Sequence, residues 1–194
     1  MYRRDFVLKT AGALAATGLI LSGCTTTSPS DASADSGKRR REIDTSIDTT
    51  LARLTTAAPR ARELLSKANG VLVFPHVIAA GFGIGGQYGE GALRAAGRTD
   101  GYYSTASASI GLQIGAQSKA LIFLFMTQDS LNKFRNSNGW AVGGDASVAV
   151  LKIGANGDID TTSITSSVLA FVLTNTGLMA NLTLEGTKVS HLNI

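Results

Sequence analysis

The chain has 194 residues, with 18 Lys and Arg against 14 Asp and Glu, a formal charge of +4 and a single cysteine. That length is enough for one ordinary domain, and one cysteine excludes an internal disulfide or a thiolate-rich zinc site, so the fold must rest on its own core. Three of the cations and one acid fall in the first 23 residues, and the remaining 171 residues carry only +2, too balanced for a nucleic-acid protein that needs a continuous basic face.

Arg3, Arg4 and Lys9 precede the apolar and small run Thr10 to Gly23. The run is too short to cross a hydrocarbon core of about 30 Å and reads as a cleaved export segment. It ends in Leu21-Ser22-Gly23-Cys24, which resembles the lipobox of bacterial lipoproteins. The resemblance implies cleavage before Cys24, a diacylglyceryl thioether on its sulfur, and an acylated (palmitate-type) new amino terminus, enough buried methylene to hold the protein on a membrane. An incidental cysteine after an ordinary signal peptide is the plain alternative. Arg3-Arg4-Asp5-Phe6 is also similar to a twin-arginine signal, with Tyr2 in place of Ser or Thr, so both export routes stay open. Thr25, rather than Asp, follows the cysteine. In an enteric bacterium that favours the periplasmic face of the outer membrane.

Ser28 to Ser36 is small, polar and free of aromatic residues, and residues 24–41 read as a flexible tether reaching roughly 20–25 Å. The tether ends in the basic run Lys38-Arg39-Arg40-Arg41. The folded domain is expected over 42–194. Apolar residues at 43, 47, 51, 54, 58, 61, 65 and 68 alternate steps of three and four and predict a helical face, with Asp44 as N-cap and a kink or a new helix at Pro59. Asn69-Gly70 ends it. Val71 to Phe74 predicts a buried strand stopped by Pro75. Gly81, Gly83 and Gly85 then alternate with Ala80, Phe82 and Ile84, and Ala106, Ala108, Ile110, Leu112 and Ile114 alternate with small or polar residues. Bare strand faces let backbone approach backbone and let a sheet bend. Lys119 to Met126 predicts a central strand, and Thr127 to Asn136 a helix capped by Thr127 with Leu131 and Phe134 inward. A strand from Gly139 places Val142, Gly144, Ala146, Val148 and Val150 on one face. Asn156-Gly157-Asp158 predicts a turn, Thr161–Leu173 and Leu178–Leu184 further strands, and Gly177 and Gly186 bends. The fold class is α+β and strand-dominated: a strongly curved antiparallel sheet or partial barrel with an N-terminal amphipathic helix and one or two short helices.

Gly81-x-Gly83-x-x-Gly86 matches the dinucleotide fingerprint in letters, but no helix pattern follows it, so no cofactor is expected. His76 and His191 are far apart in sequence and no Asp, Glu or His motif surrounds either, so no metal site is expected. No serine lies in Gly-x-Ser-x-Gly, and Asp158 and Asp160 flank a turn where solvated acids are ordinary. A non-enzymatic role follows. An unrecognised hydrolase that uses His76 or Asp145 is the least favoured alternative.

Read together, Gly70-Val-Leu-Val-Phe-Pro75, Gly81-Phe-Gly-Ile-Gly-Gly86, Tyr102-Tyr103, Ser109-Ile-Gly-Leu-Gln-Ile-Gly115, the run Ala120 to Met126 and Ser137-Asn-Gly-Trp140 resemble the SYLF domain family from about Ile43 to the C-terminus. That family includes eukaryotic proteins that bind phosphoinositide membranes and, in yeast, actin, together with bacterial exported lipoproteins. The resemblance implies a lipid-binding domain whose amphipathic N-terminal helix and basic residues meet anionic phospholipid, here Lys38, Arg39, Arg40, Arg41, Arg53, Arg60, Arg62 and Lys67. Asp44 and Asp48 interrupt that basic face and favour bacterial anionic lipids over phosphoinositides. Arg94, Arg98, Lys119, Lys133, Arg135 and Lys152 are further candidate headgroup contacts, and Trp140 and Tyr102 are candidate interfacial aromatics. No actin or nucleic-acid partner is expected in a bacterial envelope. The rival reading is a structural or stress-related envelope protein that binds a protein or peptidoglycan.

Overall fold

A computed structural model describes residues 29–151, 166–175, 177–178, 184 and 186–194. The expectations for Cys24, Lys152, the turn at Asn156-Gly157-Asp158, Asp160, and the strand segments 161–165 and 179–183 lie outside the described residues. The chain divides into two units, Met1–Ala34 and Asp35–Ile194. In the first, only the helical residues 29–34 are described. Two helices come first, α1 (Pro29–Ala57) and α2 (Ala61–Lys67), followed by the strands β1 (Gly70–Ala95) and β2 (Arg98–Phe125). Then come α3 (Gln128–Arg135), β3 (Trp140–Ala141), β4 (Val148–Val150), β5 (Val168–Thr174), β6 (Gly177–Leu178) and β7 (Lys188–His191).

The architecture is α+β, a strongly curved half-barrel sheet with helices at its faces. Its spine is the β1–β2 hairpin. The two strands pair antiparallel from Gly70↔Phe125 to Ala95↔Arg98 and are joined by Ala96-Gly97, both at positive φ (50° and 75°), as a two-residue hairpin turn requires. On its other side β2 pairs with β7 at residues 103–106 and with β5 at residues 119–125, and β3 and β4 extend the two ends. The β4–β5 pair is parallel, an exception within the curved antiparallel sheet.

Period-2 alternation sorts the side chains into two buried clusters. Leu72, Phe74, Leu121, Phe123, Phe125, Val168, Ala170 and Val172 face one way, onto Leu131 and Phe134 of α3 and onto Trp140. Val73, Ile122, Leu124, Leu169 and Phe171 face the other way, onto Ile43, Ile47 and Leu54 of α1 and Ala61 and Leu64 of α2. Helices α1 and α2 thus bury their apolar residues on one face of the sheet and α3 buries its own on the other. Edge contacts among Phe123, Phe134 and Trp140 at centroid separations of 5.5–5.6 Å fix the α3 side.

The bend of the hairpin is a contact of β1 with itself. A Cβ at Gly89 would lie 2.7 Å from Val77 Cγ2 and 2.8 Å from the His76 carbonyl oxygen. One at Gly91 would overlap the Val73 carbonyl and sit 2.8 Å from Phe74 Cδ1. The outgoing arm of β1 therefore lies against the returning arm at a spacing that only glycine permits. The bare faces read at Gly81 and Gly83 lie outside the described side chains; among the described glycines Gly89 and Gly91 make the close approach.

Several boundaries differ from the sequence reading. Helix α1 begins at Pro29, so the residues 29–41 read as tether are helical, as their Ala, Lys and Arg content allows. Asp44 consequently lies inside α1 and is no N-cap. Leu64, rather than Leu65, is the buried leucine of α2, because the chain restarts its helical phase after Pro59. Pro75 does not stop β1, since a register shift between Phe74 and Val77 absorbs it as a bulge. The strand expected from Gly139 through Val150 is broken by a turn at 143–145, where Gly143 takes φ 88° and the Asp145 carboxylate accepts from the Ala141 N–H at 2.7 Å. Helix α3 starts as read, with Thr127 Oγ1 accepting from Ser130 N–H at 3.2 Å.

Candidate functional site

The structure divides the candidate cations by what they touch. Arg94 is internal scaffolding: it pairs with Asp48 and donates to the Asp44 carbonyl at 3.1 Å, binding the hairpin to α1. The Asp44 carboxylate also accepts from Thr99 and Tyr102, each at 2.9 Å. Both acids that seemed to interrupt a basic face are therefore engaged by hairpin groups. Arg135 holds α3 to Asp100 of β2 at 2.8 Å. Arg39 reaches the Glu90 carboxylate, with its Nε at 3.0 Å, and Tyr88 donates to the same carboxylate at 2.8 Å. The Arg39 hydrogen bond holds the Glu90 carboxyl below the usual carboxylate range. Arg40 lies 5.8 Å from the Tyr102 ring centroid and donates to the Ile194 carbonyl. Of the candidate headgroup contacts, Arg39, Arg94 and Arg135 thus each pair with a carboxylate on another element.

Other cations remain outside. Lys38, Lys67 and Lys133 make exposed pairs one helical turn away with Glu42, Glu63 and Asp129, a class worth little in water. Arg41, Arg62 and Arg98 are exposed and make no ion pair among the described residues. Arg53 donates to the Thr174 carbonyl at 3.2 Å from the outer side of α1. From Thr49 to Asn69 the chain carries four cations, Arg53, Arg60, Arg62 and Lys67, against the single acid Glu63. The end of α1, the Pro59 corner and α2 therefore form a basic surface above the cluster that α1 and α2 bury. Lys119 is half-buried on β2 beside Val77 and Thr174, and burial alone lowers its pKa. Trp140 is buried in the core, the alternative the sequence reading favoured over an interfacial place, and Tyr102 is half-buried against Asp44 and Arg40.

A groove of about 640 Å³ opens between α1 and the hairpin. Its walls include Lys38, Glu42, His76, Ile78, Tyr88 and Glu90. Ile78 and Tyr88 are 57% and 50% exposed, the large hydrophobic side chains that stand out in solvent among the described residues. The sequence reading missed this site. Its only signal was an isoleucine and a tyrosine bracketing a glycine-rich stretch of one strand. His191 stacks on Tyr103 at 4.6 Å, away from His76 in the groove, and Asp145 lines a separate depression beside α3.

Residues 106–193 match the model of the Ysc84 family, described as a Las17-binding protein actin regulator. That match covers 88 of the 194 residues and agrees with the resemblance to the SYLF family. No curated protein matches the chain. The matched part of the SYLF domain runs from the middle of β2 through α3, β5 and β7, a narrower span than the resemblance from Ile43 suggested. The groove and the basic surface of α1 and α2 are built from residues before it. The matched segment covers most of β2 and the elements after it, while α1, α2 and β1 precede it.

Proposed function

We propose that this SYLF protein is a non-enzymatic, lipid-anchored envelope protein whose domain docks on anionic phospholipid through the basic surface of α1 and α2. The observation that carries the reading is the clustering of exposed cations: Arg53, Arg60, Arg62 and Lys67 lie on the exposed side of α1, the Pro59 corner and α2 with one acid, Glu63, among them. Each such cation near an anionic leaflet is worth about 1 kcal/mol, so the set gives weak, salt-sensitive docking. Acylation of Cys24 would turn that weak contact into residence by keeping the domain beside its membrane, on the periplasmic face of the outer membrane. The family's actin description does not carry over to an exported protein.

Two variants test the reading. Arg62→Glu with Lys67→Glu should keep the domain's melting temperature yet lower its retention on phosphatidylglycerol vesicles by tenfold or more, on the ~1 kcal/mol per charge scale. Unchanged retention would refute the basic surface as the docking face. Cys24→Ser should move the protein from the membrane to the soluble periplasmic fraction, and a Cys24→Ser protein still sedimenting with membranes would refute the anchor.

A further inference from the structure

We infer that the groove between α1 and the hairpin binds one zwitterionic amphiphile, its apolar chain on Ile78 and Tyr88 and its two-charged head between Lys38 and Glu42. The inference deepens the lipid reading and rests on it, but it uses different residues from the docking surface.

The charges set the head-group class. Three acids, Asp35, Glu42 and Glu90, and two fixed cations, Lys38 and Arg39, line the groove, joined by His76. Arg39 and Glu90 satisfy each other and, through Tyr88, brace one wall. Lys38 and Glu42 are joined only loosely, at 3.8 Å, and their side chains are 69% and 65% exposed. Opening that pair offers an ammonium donor and a carboxylate acceptor one helical turn apart. A phosphate beside Lys38 and His76 with an ammonium beside Glu42 and Asp35 would replace the pair without stranding either charge. A purely anionic head would leave the acids uncompensated, and a purely cationic one would meet Lys38.

The rest of the groove sets the chain. Its volume, about 640 Å³, lies within the range of small-ligand sites, on the order of 300–1,000 Å³. The half-exposed Ile78 and Tyr88 stand in the same groove, above a floor that includes the buried Ile43 and Gly89. Exposed large apolar side chains gathered in one concavity mark a binding surface more than a solvated face.

The test titrates the full-length chain with three twelve-carbon amphiphiles below their micelle concentrations: dodecylphosphocholine, dodecyl phosphate and dodecyltrimethylammonium. Dodecylphosphocholine should saturate at one molecule per chain, shift the Ile78 methyl and Tyr88 ring resonances, and bind at least tenfold more tightly than either singly charged probe. Ile78→Ser should weaken it about tenfold, the effect of exposing half of one large side chain. Glu42→Gln should abolish the preference over dodecyl phosphate. Arg62→Glu with Lys67→Glu should leave the groove unaffected. Equal or tighter binding of dodecyl phosphate, non-saturating uptake, or shifts confined to other surfaces would overturn the inference. No vesicle docking by the unsubstituted chain with groove binding intact would refute the docking surface alone, and docking without groove binding would refute the groove alone.

Discussion

Among the described glycines of the hairpin, Gly91 is the one whose replacement by alanine should do the most damage. The added Cβ would overlap the Val73 carbonyl oxygen and lie 2.8 Å from both the Val73 carbonyl carbon and Phe74 Cδ1. Comfortable carbon contacts are about 3.5–4.0 Å, so the two arms of β1 must part by on the order of 1 Å. Neither arm can give easily. Val73 and Phe74 are fully buried, and their backbone is held by the pairing to Leu121 and Ile122. Overpacking of this kind costs about 1–3 kcal/mol where side chains can yield, and a backbone obstacle puts Gly91→Ala at or above about 3 kcal/mol. At about 2–4 °C per kcal/mol for a chain of this size, the melting temperature should fall by roughly 6–12 °C. Gly86→Ala is the control, since its Cβ would meet only the Ser107 carbonyl at 3.8 Å, and it should be neutral or gain a few tenths to about 1 kcal/mol from lower unfolded-state entropy. Chemical denaturation of both variants reads the difference. A Gly91→Ala protein within about 1 kcal/mol of the parent would refute the self-contact of β1 as the origin of the bend.

Ala96 sits at φ 50°, where a side chain with Cβ is strained, and Ala96→Asn should raise stability by about 0.5–1 kcal/mol in urea titrations. Glu90→Gln should destabilise the parent by up to about 1 kcal/mol at neutral pH. The Glu90 pKa is lowered in the fold, so its contribution is present above the ordinary carboxylate range and is lost as pH falls through the lowered value. The gap between Glu90→Gln and parent should therefore close in acid, and a gap that persists below that range would contradict the Arg39 pairing. Lys119 is penalised by burial alone, so its charged form costs stability until pH rises through its lowered pKa. Lys119→Met should be at least as stable as the parent at neutral pH, and the difference should shrink in alkali as Lys119 loses its proton; a marked loss of stability would refute this.

What the sequence made legible was periodic. The spacing of Ile43, Ile47, Leu54, Ala58 and Ala61 marked one helical face, and all five are buried. The alternation of Leu121, Phe123 and Phe125 with Ile122 and Leu124 likewise separates the two buried clusters. Thr127 marked the start of α3 because a cap is a local contact. The long hairpin was hidden, because Pro75 reads as a stop unless a bulge is known to absorb it. Glycine count pointed to bending, but which glycines touch depends on where the chain folds back, and nothing local distinguishes Gly91 from Gly83. The cations were the least legible. Arg39, Arg94 and Arg135 look like Arg41 or Arg62 in sequence, and their acids lie 51, 46 and 35 positions away. The groove shares this origin, since α1 and two distant stretches of β1 meet there only after the hairpin bends.

Vesicle co-sedimentation of the purified full-length Cys24→Ser chain, at low and high salt, tests the central claim most directly because it removes the proposed anchor and leaves the domain. The protein should pellet with phosphatidylglycerol vesicles at low ionic strength, stay in solution with phosphatidylcholine vesicles, and leave the anionic vesicles at about 1 M salt, where screening shortens to about 3 Å. No association with the anionic vesicles at low salt, or equal association with both lipids at every salt concentration, would contradict it.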